Sequence, residues 1–427
     1  MKRIIFFIFY TSSLFSNVDD YINQINSLLT EKAYDEGLVL FEKGVKEYDA
    51  SSKLFFIGGE LYLKLDDLDE ANKNFIKAIE LDSKNEEYRT RQKELEKFKQ
   101  LLLSARKTFD SGLMDDAIIE YEKLALKYPS HAILFYNLGL VYKANSELIS
   151  AVDNYKKAQN LNPFEEKYFK AVKVIAQMSA KEGDVEYRRQ EFDLAIKKYE
   201  QAIDYFPEYT TAMFKLARTY YKLKDLQSSM NILTKALLID PSQEQSEKML
   251  GDIYRKLDNP DEAIKHYALA VEINSNYYQA YYSLGSLYLS EGLFSNAQSA
   301  LMNAIKIEPT YSKAYGALGT VEQELGNIDA SIKNYLEAVK YDKKAYDIYY
   351  RLASAYNHIE FFDDAKTYAK KSVNIKRNYA PAYFELGMAE KSLGNKVAAK
   401  DAFEKAKKDR NWRKSAQYEL DMMSKGL

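Results

Sequence analysis

The side chains most often used in catalysis and metal binding are few and scattered in this chain. It has no cysteine, which excludes thiol nucleophiles, zinc fingers, iron–sulfur clusters and disulfide frameworks. The three histidines are His131, His266 and His358, and no two stand four residues apart, as a metal-binding pair on a helix does. The sequence therefore predicts no metal site and no cofactor.

Paired carboxylates are the other candidates for acid–base chemistry. Asp66-Asp67, Asp115-Asp116 and Asp363-Asp364 lie in predicted turns or at predicted helix starts, where a carboxylate stabilises the partial positive charge of a helix N-terminus. No G-x-S-x-G, Walker A or G-x-G-x-x-G motif accompanies them. We therefore expect a chain that is not an enzyme and has no small-molecule substrate.

Charge and composition narrow the class of protein further. The chain of 427 residues has 61 Lys plus Arg and 63 Asp plus Glu, so it lacks the basic surplus of a nucleic-acid-binding protein. We expect no nucleic acid partner. With only 7 Pro and 16 Gly, it has too few turn-forming residues for a sheet-rich fold, and the elements that position its side chains are predicted to be helices.

A 34-residue spacing runs through most of the chain. Similar segments of the form Ala-Tyr-x-x-Leu-Gly begin at Ala280, Ala314 and Ala382. With Gly285 at position 8, the spacing defines units 18–51, 52–85, 98–131, 132–165 and seven contiguous units in 176–413. Positions 8, 20 and 27 are small in nearly every unit and position 24 is large in nearly every unit, which is the alternation that close helix packing needs.

Proline and glycine support the same division. Position 32 is where a second helix must stop, and it holds Pro129, Pro163, Pro207, Pro241 and Pro309. Position 15 fits the turn between two helices, and it holds Gly112, Gly292, Gly326 and Gly394. Each unit is therefore predicted to be a helix, a turn and a second helix.

These features resemble the tetratricopeptide repeat, a 34-residue helical hairpin with small residues at positions 8, 20 and 27, aromatics at 11 and 24, and proline at 32. The resemblance covers most of the chain. It implies an all-α fold, a right-handed α-solenoid of antiparallel helix pairs, in which the first helices line a concave groove. It also implies a protein or peptide segment as the partner.

Residues 1–16 differ from the repeats and have the layout of a signal peptide. A positive start, Met1-Lys2-Arg3, is followed by the apolar run 4–10 and then by polar residues. The run is too short to span a bilayer, although an uncleaved leader would tether the chain to a membrane through residues 4–15. We expect an exported bacterial protein, periplasmic or envelope-associated.

Two inserts interrupt the 34-residue spacing, at 86–97 and 166–175. Neither contains Pro or Gly, and each is predicted to lengthen the next first helix by about three turns. The solenoid is thereby divided into the blocks 18–85, 98–165 and 176–413, and the sequence leaves open whether the joints bend. Residues 414–427 are predicted to be a capping helix and tail.

The resemblance also implies a binding surface, because positions 2, 5, 9, 12 and 13 of each first helix face the groove in this family. In 176–413 these positions are aromatic or basic at Tyr187, Arg188, Phe214, Arg218, Tyr221, Lys222, Lys248, Arg255, Tyr282, Tyr350 and Phe384. Neighbours such as Tyr349 and Tyr350 point about 100° apart on a helix, so one is expected to be buried and the other to face the groove. Ordinary solvated surface is the alternative for the tyrosines and for the charges.

The function expected from these observations is that of an exported scaffold or adaptor. It would bind a partner segment in the groove of 176–413 during envelope or secretion assembly. The alternative is a targeting or regulatory subunit of a separately encoded envelope enzyme.

Overall fold

The computed structural model describes residues 17–425, and all regular secondary structure in that range is helical. The predicted leader, residues 1–16, lies outside the described residues. Between residues 17 and 425, no helix combines the length and the apolar character needed to cross a membrane.

The chain divides into two compact units, the first ending at Ala212 and the second beginning at Met213. The first unit contains α1 (Val18–Thr30), α2 (Tyr34–Glu47), α3 (Ser52–Lys64), α4 (Leu68–Leu81), α5 (Glu86–Asp110), α6 (Met114–Lys127), α7 (Ala132–Ala144), α8 (Leu148–Leu161), α9 (Glu166–Arg188) and α10 (Phe192–Tyr205). The helix α11 (Thr210–Lys222) spans the division.

The second unit continues with twelve further helices. They are α12 (Leu226–Ile239), α13 (Glu244–Lys256), α14 (Pro260–Ile273), α15 (Tyr278–Ser290), α16 (Phe294–Ile307), α17 (Ser312–Glu324), α18 (Ile328–Tyr341), α19 (Tyr346–His358), α20 (Phe362–Ile375), α21 (Ala380–Ser392), α22 (Lys396–Ala406) and α23 (Arg413–Ser424). Within each unit, consecutive helices pack against each other as antiparallel pairs. The predicted all-α solenoid fold is confirmed.

The helices of a pair meet where position 8 of the first faces position 24 of the second. A Cβ atom placed on Gly251 would lie 2.6 Å from the Tyr267 ring, and one on Gly319 would lie 2.5 Å from the Tyr335 ring. Both rings are fully buried. The aromatic ring therefore lies directly on the bare helix backbone, which explains why small residues recur at position 8.

The turn within each pair is built by one residue with a left-handed backbone. Every predicted unit has a positive φ at position 15, with glycine at 112, 292, 326 and 394 and another residue at Lys32, Asp66, Ser146, Gln190, Lys224, Asp258 and Glu360. The next N–H closes the helix end, as where Asp67 donates to the Tyr62 carbonyl at 2.9 Å. The left-handed turn thus recurs in every predicted unit, but only some of the units have glycine there.

The two inserts lie within long helices. Residues 86–97 form the first turns of α5, and residues 166–175 form the first turns of α9. The added turns of α5 are attached to the preceding repeat, because Arg91 forms two charge-assisted bonds with Glu60, at 2.5 and 2.9 Å. Lys99 also lies 2.7 Å from Asp69.

Beyond α5, the first unit folds back so that distant repeats touch. The Ile133 N–H, in the first turn of α7, donates to Asp66 Oδ1 at 3.0 Å, and the Tyr168 hydroxyl donates to Asp66 Oδ2. The Asp66 side chain is only 2% exposed. Burial raises the pKa of Asp66, while Tyr168, Lys167 and the Ile133 N–H oppose that shift. Asp66 therefore caps a helix 67 residues away.

Further hydrogen bonds connect the same distant repeats of the first unit. The Asn162 side chain donates to the Lys64 carbonyl at 3.1 Å, and the Tyr34 hydroxyl donates to the Leu161 carbonyl at 3.1 Å. These contacts join the predicted blocks 18–85 and 98–165 into one compact body. The boundary between the compact units falls inside the predicted block 176–413.

The C-terminal end of the array is covered by α23. Ala416 and Leu420 are buried against Phe403 and Ala406 of α22, and Met423 is partly buried there. The outward face of α23 is polar apart from the exposed Tyr418, as a terminal repeat element requires.

Candidate functional site on the second unit

Two of the three histidines are packed inside the protein. His131 lies against Phe98 with ring centroids 4.4 Å apart, and His266 Nδ1 lies 2.6 Å from Glu247 Oε2. His358 is exposed at the end of α19. Across residues 17–425, no three His, Asp or Glu side chains are grouped as ligands for a metal ion.

The paired carboxylates lie at turns and helix starts, as predicted. Asp67 caps α4 by accepting the Glu70 N–H at 3.0 Å. Asp115 and Asp116 lie in the first turn of α6, and the pair 363–364 lies in the first turn of α20. These carboxylates interact with helix N-termini rather than with one another across a cleft.

The candidate binding residues of the second unit lie on what we call the first-helix surface. It consists of positions 2, 5, 9, 12 and 13 of α13, α15, α17, α19 and α21, together with the part of α11 from Met213 onward. Its basic part is at α11 and α13. Lys222 and Arg255 are exposed, and Lys256 Nζ lies 3.9 Å from the centroid of the half-buried Tyr221 ring. The predicted residues Phe214 and Arg218 are half-buried on α11.

Lys248 is less available than its sequence position implies. Its ammonium group forms an ion pair with Asp252 at 2.6 Å, and both side chains are largely buried. The Tyr267 hydroxyl donates to the other Asp252 oxygen at 2.7 Å. The charge of Lys248 is thus neutralised within the protein, and a binding role for Lys248 receives no support from this geometry.

Tyr282 belongs to a cluster of three tyrosines within one repeat. Tyr278 and Tyr282, at positions 1 and 5, lie edge-on against Tyr311 at position 34, with centroids 5.0 and 5.2 Å apart. All three side chains are half-buried. Burial raises the pKa of Tyr311 to about 12, so its hydroxyl remains a hydrogen-bond donor at physiological pH.

Tyr350 belongs to a matching cluster two repeats further on. Tyr346 and Tyr350 lie edge-on against Tyr379, with centroids 4.9 and 5.7 Å apart. Burial raises the pKa of Tyr379 to about 12. Lys376 Nζ lies over the Tyr346 ring at 4.4 Å. We refer to the two clusters as the tyrosine triads.

The tyrosines at positions 1 and 34 were missed by the sequence reasoning, which considered only the groove positions of the family. A usable signal was present, because each member of the first triad is followed by a tyrosine 68 residues later. The expectation for adjacent tyrosines holds at α19, where Tyr349 is buried and Tyr350 is half-buried. At α15 the same expectation is wrong, since Tyr281 and Tyr282 are both half-buried.

The helix between the triads, α17, has uncharged residues at positions 5, 9 and 12, with the charged Lys313 and Glu324 at positions 2 and 13. Gly316 occupies position 5 of α17, and a Cβ there would meet Ile348 at 2.8 Å. Thr320 and Gln323 receive hydrogen bonds from the Tyr335 hydroxyl at 3.2 and 3.1 Å. The middle of the first-helix surface is therefore low and polar between two aromatic clusters.

At the C-terminal end of the surface, Phe384 is packed rather than projecting. Its ring contacts Phe403 and Trp412, with centroids 5.6 and 5.0 Å apart. The two remaining candidates belong to the first unit. Tyr187 lies edge-on against Phe192 at 5.5 Å, and Arg188 is exposed at the end of α9. The candidate site consists of residues of the second unit alone.

Comparison with known families identifies the repeat. Family models described as "Tetratricopeptide repeat" or "TPR repeat" match residues 54–85, 132–165, 186–253, 251–292, 278–311, 317–381 and 380–408. Together these matches cover more than half of the chain. The chain belongs to the tetratricopeptide-repeat family.

Individual relatives share the repeat at low identity. Human "Tetratricopeptide repeat protein 16" is 21% identical over 231 residues, which are 53% of this chain and 26% of that protein. A structure of MamA is 27% identical and covers 38% of this chain and 95% of its own, with a TM-score of 0.36. The Cut9–Hcn1 structure is 14% identical, with coverages of 88% and 90% and a TM-score of 0.43. This chain thus spans about a quarter of its curated relative.

In this tetratricopeptide-repeat protein, the first-helix surface combines three kinds of contact. Exposed cations lie at the end formed by α11 and α13, half-exposed phenols lie at the two triads, and hydroxyl and amide groups lie between them. These groups are able to form ion pairs, ring contacts and hydrogen bonds.

Proposed function

We propose that this tetratricopeptide-repeat protein is a scaffold or adaptor that binds an extended segment of a partner protein on its first-helix surface and performs no covalent chemistry itself. The observation that carries the proposal is the pair of matched tyrosine triads on either side of Gly316. Tyrosine supplies a large, rigid contact area with a polar tip, which is why it is enriched at protein interfaces.

The groups beside the triads suit a main chain rather than a globular surface. Ser286, Thr320 and Ser354 occupy position 9 of α15, α17 and α19, and all three are half-buried. Thr320 donates to the Gly316 carbonyl and Ser354 bonds with Glu385, so these two hydroxyls can offer a partner amide only an acceptor lone pair, whereas the Ser286 hydroxyl can also donate to a partner carbonyl. Stacked repeats characteristically bind extended partners in this manner.

We also propose that the protein is exported and acts in envelope or secretion assembly in a bacterium. The support is the order of positive, apolar and polar residues in 1–16. Mass measurement of the N-terminus in purified envelope and cytosolic fractions tests this part independently of the binding site. An intact leader in a protein confined to the cytosol would contradict it.

A photo-crosslinking residue placed at Gln279 tests the binding function. Gln279 is exposed at position 2 of α15, next to the first triad. The matched control places the same crosslinker at Asn303, which is exposed on the second helix α16. In cells, we expect the full-length protein to crosslink through position 279 to a defined segment of another protein and to do so much less through position 303.

The identity of the crosslinked peptides separates the outcomes. Crosslinks from position 279 to extended segments support the scaffold function. A single folded enzyme crosslinked at both positions favours the targeting-subunit alternative. Equal, scattered crosslinking from both positions would show that the first-helix surface is ordinary solvated surface.

A further inference from the structure

The distribution of charge along the first-helix surface indicates the chemistry of the bound segment, and this inference rests on the proposed function. We propose that the segment carries acidic side chains at one end, over Lys222, Arg255 and Lys256. An uncharged run follows, with two ring-bearing residues, proline or aromatic, at the tyrosine triads.

The basic end of the first-helix surface presents three exposed cations. Lys222, Arg255 and Lys256 are exposed, and none of them forms an ion pair with another described residue. Lys256 is held over the Tyr221 ring at 3.9 Å, so its ammonium group has a preferred position. Carboxylates of a partner would complement these charges at the cost of little side-chain reorganisation.

Acidic residues near these cations leave the positive excess in place. Asp252 is occupied by Lys248 and Tyr267, and Asp225 accepts the Ser228 N–H as the cap of α12. Asp258, in the turn after α13, is the nearest exposed carboxylate in sequence to Arg255 and Lys256. The two exposed turn carboxylates, Asp225 and Asp258, do not balance the three exposed cations.

Beyond α13, charge is absent from the central positions of the first-helix surface. At positions 5, 9 and 12 of α15, α17 and α19, all nine residues are uncharged, namely Tyr282, Ser286, Leu289, Gly316, Thr320, Gln323, Tyr350, Ser354 and Asn357. Charged residues occur at the margins and have both signs, as with Lys313, Glu324 and Asp347. A nucleic acid strand carries a charge at every nucleotide and would leave most phosphates unpaired here, so a protein segment is favoured.

The distance between the triads determines the spacing of the two ring-bearing residues in the proposed segment. They lie on α15 and α19, with α17 between them, and packed helices are about 8–10 Å apart, so the triads are separated by roughly 16–20 Å. An extended chain advances about 3.3 Å per residue, which corresponds to roughly five or six residues. Helix α13 lies one first helix away from α15, about 8–10 Å, so the acidic end is expected about three residues before the first ring-bearing residue.

A library of random 16-residue peptides displayed on phage tests the proposal with the full-length protein as target. We expect enrichment of peptides with an acidic cluster, followed by an uncharged run with two proline or aromatic residues about five or six positions apart. The strongest peptide is then synthesised, and its dissociation constant is measured against the wild-type protein at two salt concentrations.

Two triple variants test whether the acidic end of the peptide binds over Lys222, Arg255 and Lys256. In Lys222→Gln/Arg255→Gln/Lys256→Gln, the affinity for the synthetic peptide should fall about tenfold, and its salt dependence should weaken. The control Lys235→Gln/Lys306→Gln/Lys333→Gln removes the same charge from exposed positions of α12, α16 and α18 and should change affinity less than about twofold. Replacing the peptide's acidic residues by their amides should reproduce the loss on wild type only.

Any other outcome would contradict either this inference or the proposed function. Enriched peptides without an acidic cluster, or equal losses in both triple variants, would overturn this inference and leave the scaffold function standing. Displacement of the peptide by a 20-nucleotide oligothymidine at comparable concentration would show that the cations serve a nucleic acid. Failure of any peptide to enrich would count against the proposed function itself.

Discussion

At the residue scale, buried polar groups connect distant repeats of the first unit. Asp66 combines a left-handed backbone with a side chain that caps α7 and accepts the Tyr168 hydroxyl. His131, the residue before α7, is 9% exposed beside Phe98. Removing the Tyr168 hydroxyl would leave one oxygen of the buried Asp66 carboxylate without that donor.

His131 makes the joint sensitive to acid. Burial, with smaller contributions from Arg91 and Lys64, lowers the pKa of His131 to about 4 from an ordinary value of 6.5. Below pH 6.5 the unfolded chain therefore binds a proton that the folded chain does not. The stability present above pH 6.5 is lost progressively down to pH 4, by roughly 3 kcal/mol in total.

Thermal melts of the full-length protein at pH 7 and pH 4.5 check this prediction. His131→Gln should reduce the loss of melting temperature between the two pH values. His358→Gln, at an exposed position, is the control and should behave like the wild type. An identical acid response in His131→Gln would mean that another group governs it.

At the element scale, each hairpin depends on small residues wherever its helices cross. Ala304, at position 27 of its unit, has no exposed surface and packs with Leu301, Leu318 and Val321. The same logic places glycine under the rings of Tyr267 and Tyr335. Because interiors are close-packed, these positions tolerate little added volume.

Ala304→Leu should therefore lower the free energy of unfolding by about 1–3 kcal/mol. The control Asn303→Leu adds the same side chain at the neighbouring exposed position of α16 and should change stability by less than about 0.5 kcal/mol. Urea unfolding followed by circular dichroism measures both. Equal effects of the two substitutions would contradict the assigned packing of α16.

At the scale of the whole molecule, the chain contains two compact units that differ in their internal contacts. The first is closed by hydrogen bonds between residues far apart in sequence, such as Asn162 to Lys64. The second consists of contiguous repeats that contact mainly their neighbours, and it carries the tyrosine triads. Arrays with nearest-neighbour contacts retain structure when shortened at a repeat boundary.

A fragment of residues 210–427, which starts with α11 intact, should therefore fold and keep the binding surface. We expect a helical circular dichroism spectrum and an affinity for the selected peptide within about threefold of the full-length value, since the contacts proposed to bind it lie within α11 to α19. A folded fragment with no affinity would show that the first unit contributes essential contacts.

The sequence alone predicted the elements and their packing. The 34-residue spacing predicted the helix pairs, the small residues predicted where helices cross, and the inserts predicted the long helices α5 and α9. These features are local, because each depends on residues within one hairpin and on the helical period. Position 15 was recognised only where it is glycine, since the other turns reach the same φ with unremarkable residues such as Lys224.

Other features required the tertiary structure. Nothing near Asp66 in sequence indicates that it caps α7, because that contact joins residues 67 positions apart across an insert of unknown angle. The pairing of Lys248 with Asp252, and the packing of the half-buried Phe384 against Trp412, depend on side-chain directions that a helical period does not fix. The repeat thus determined which faces meet, whereas the fold decided which side chains remain available to a partner.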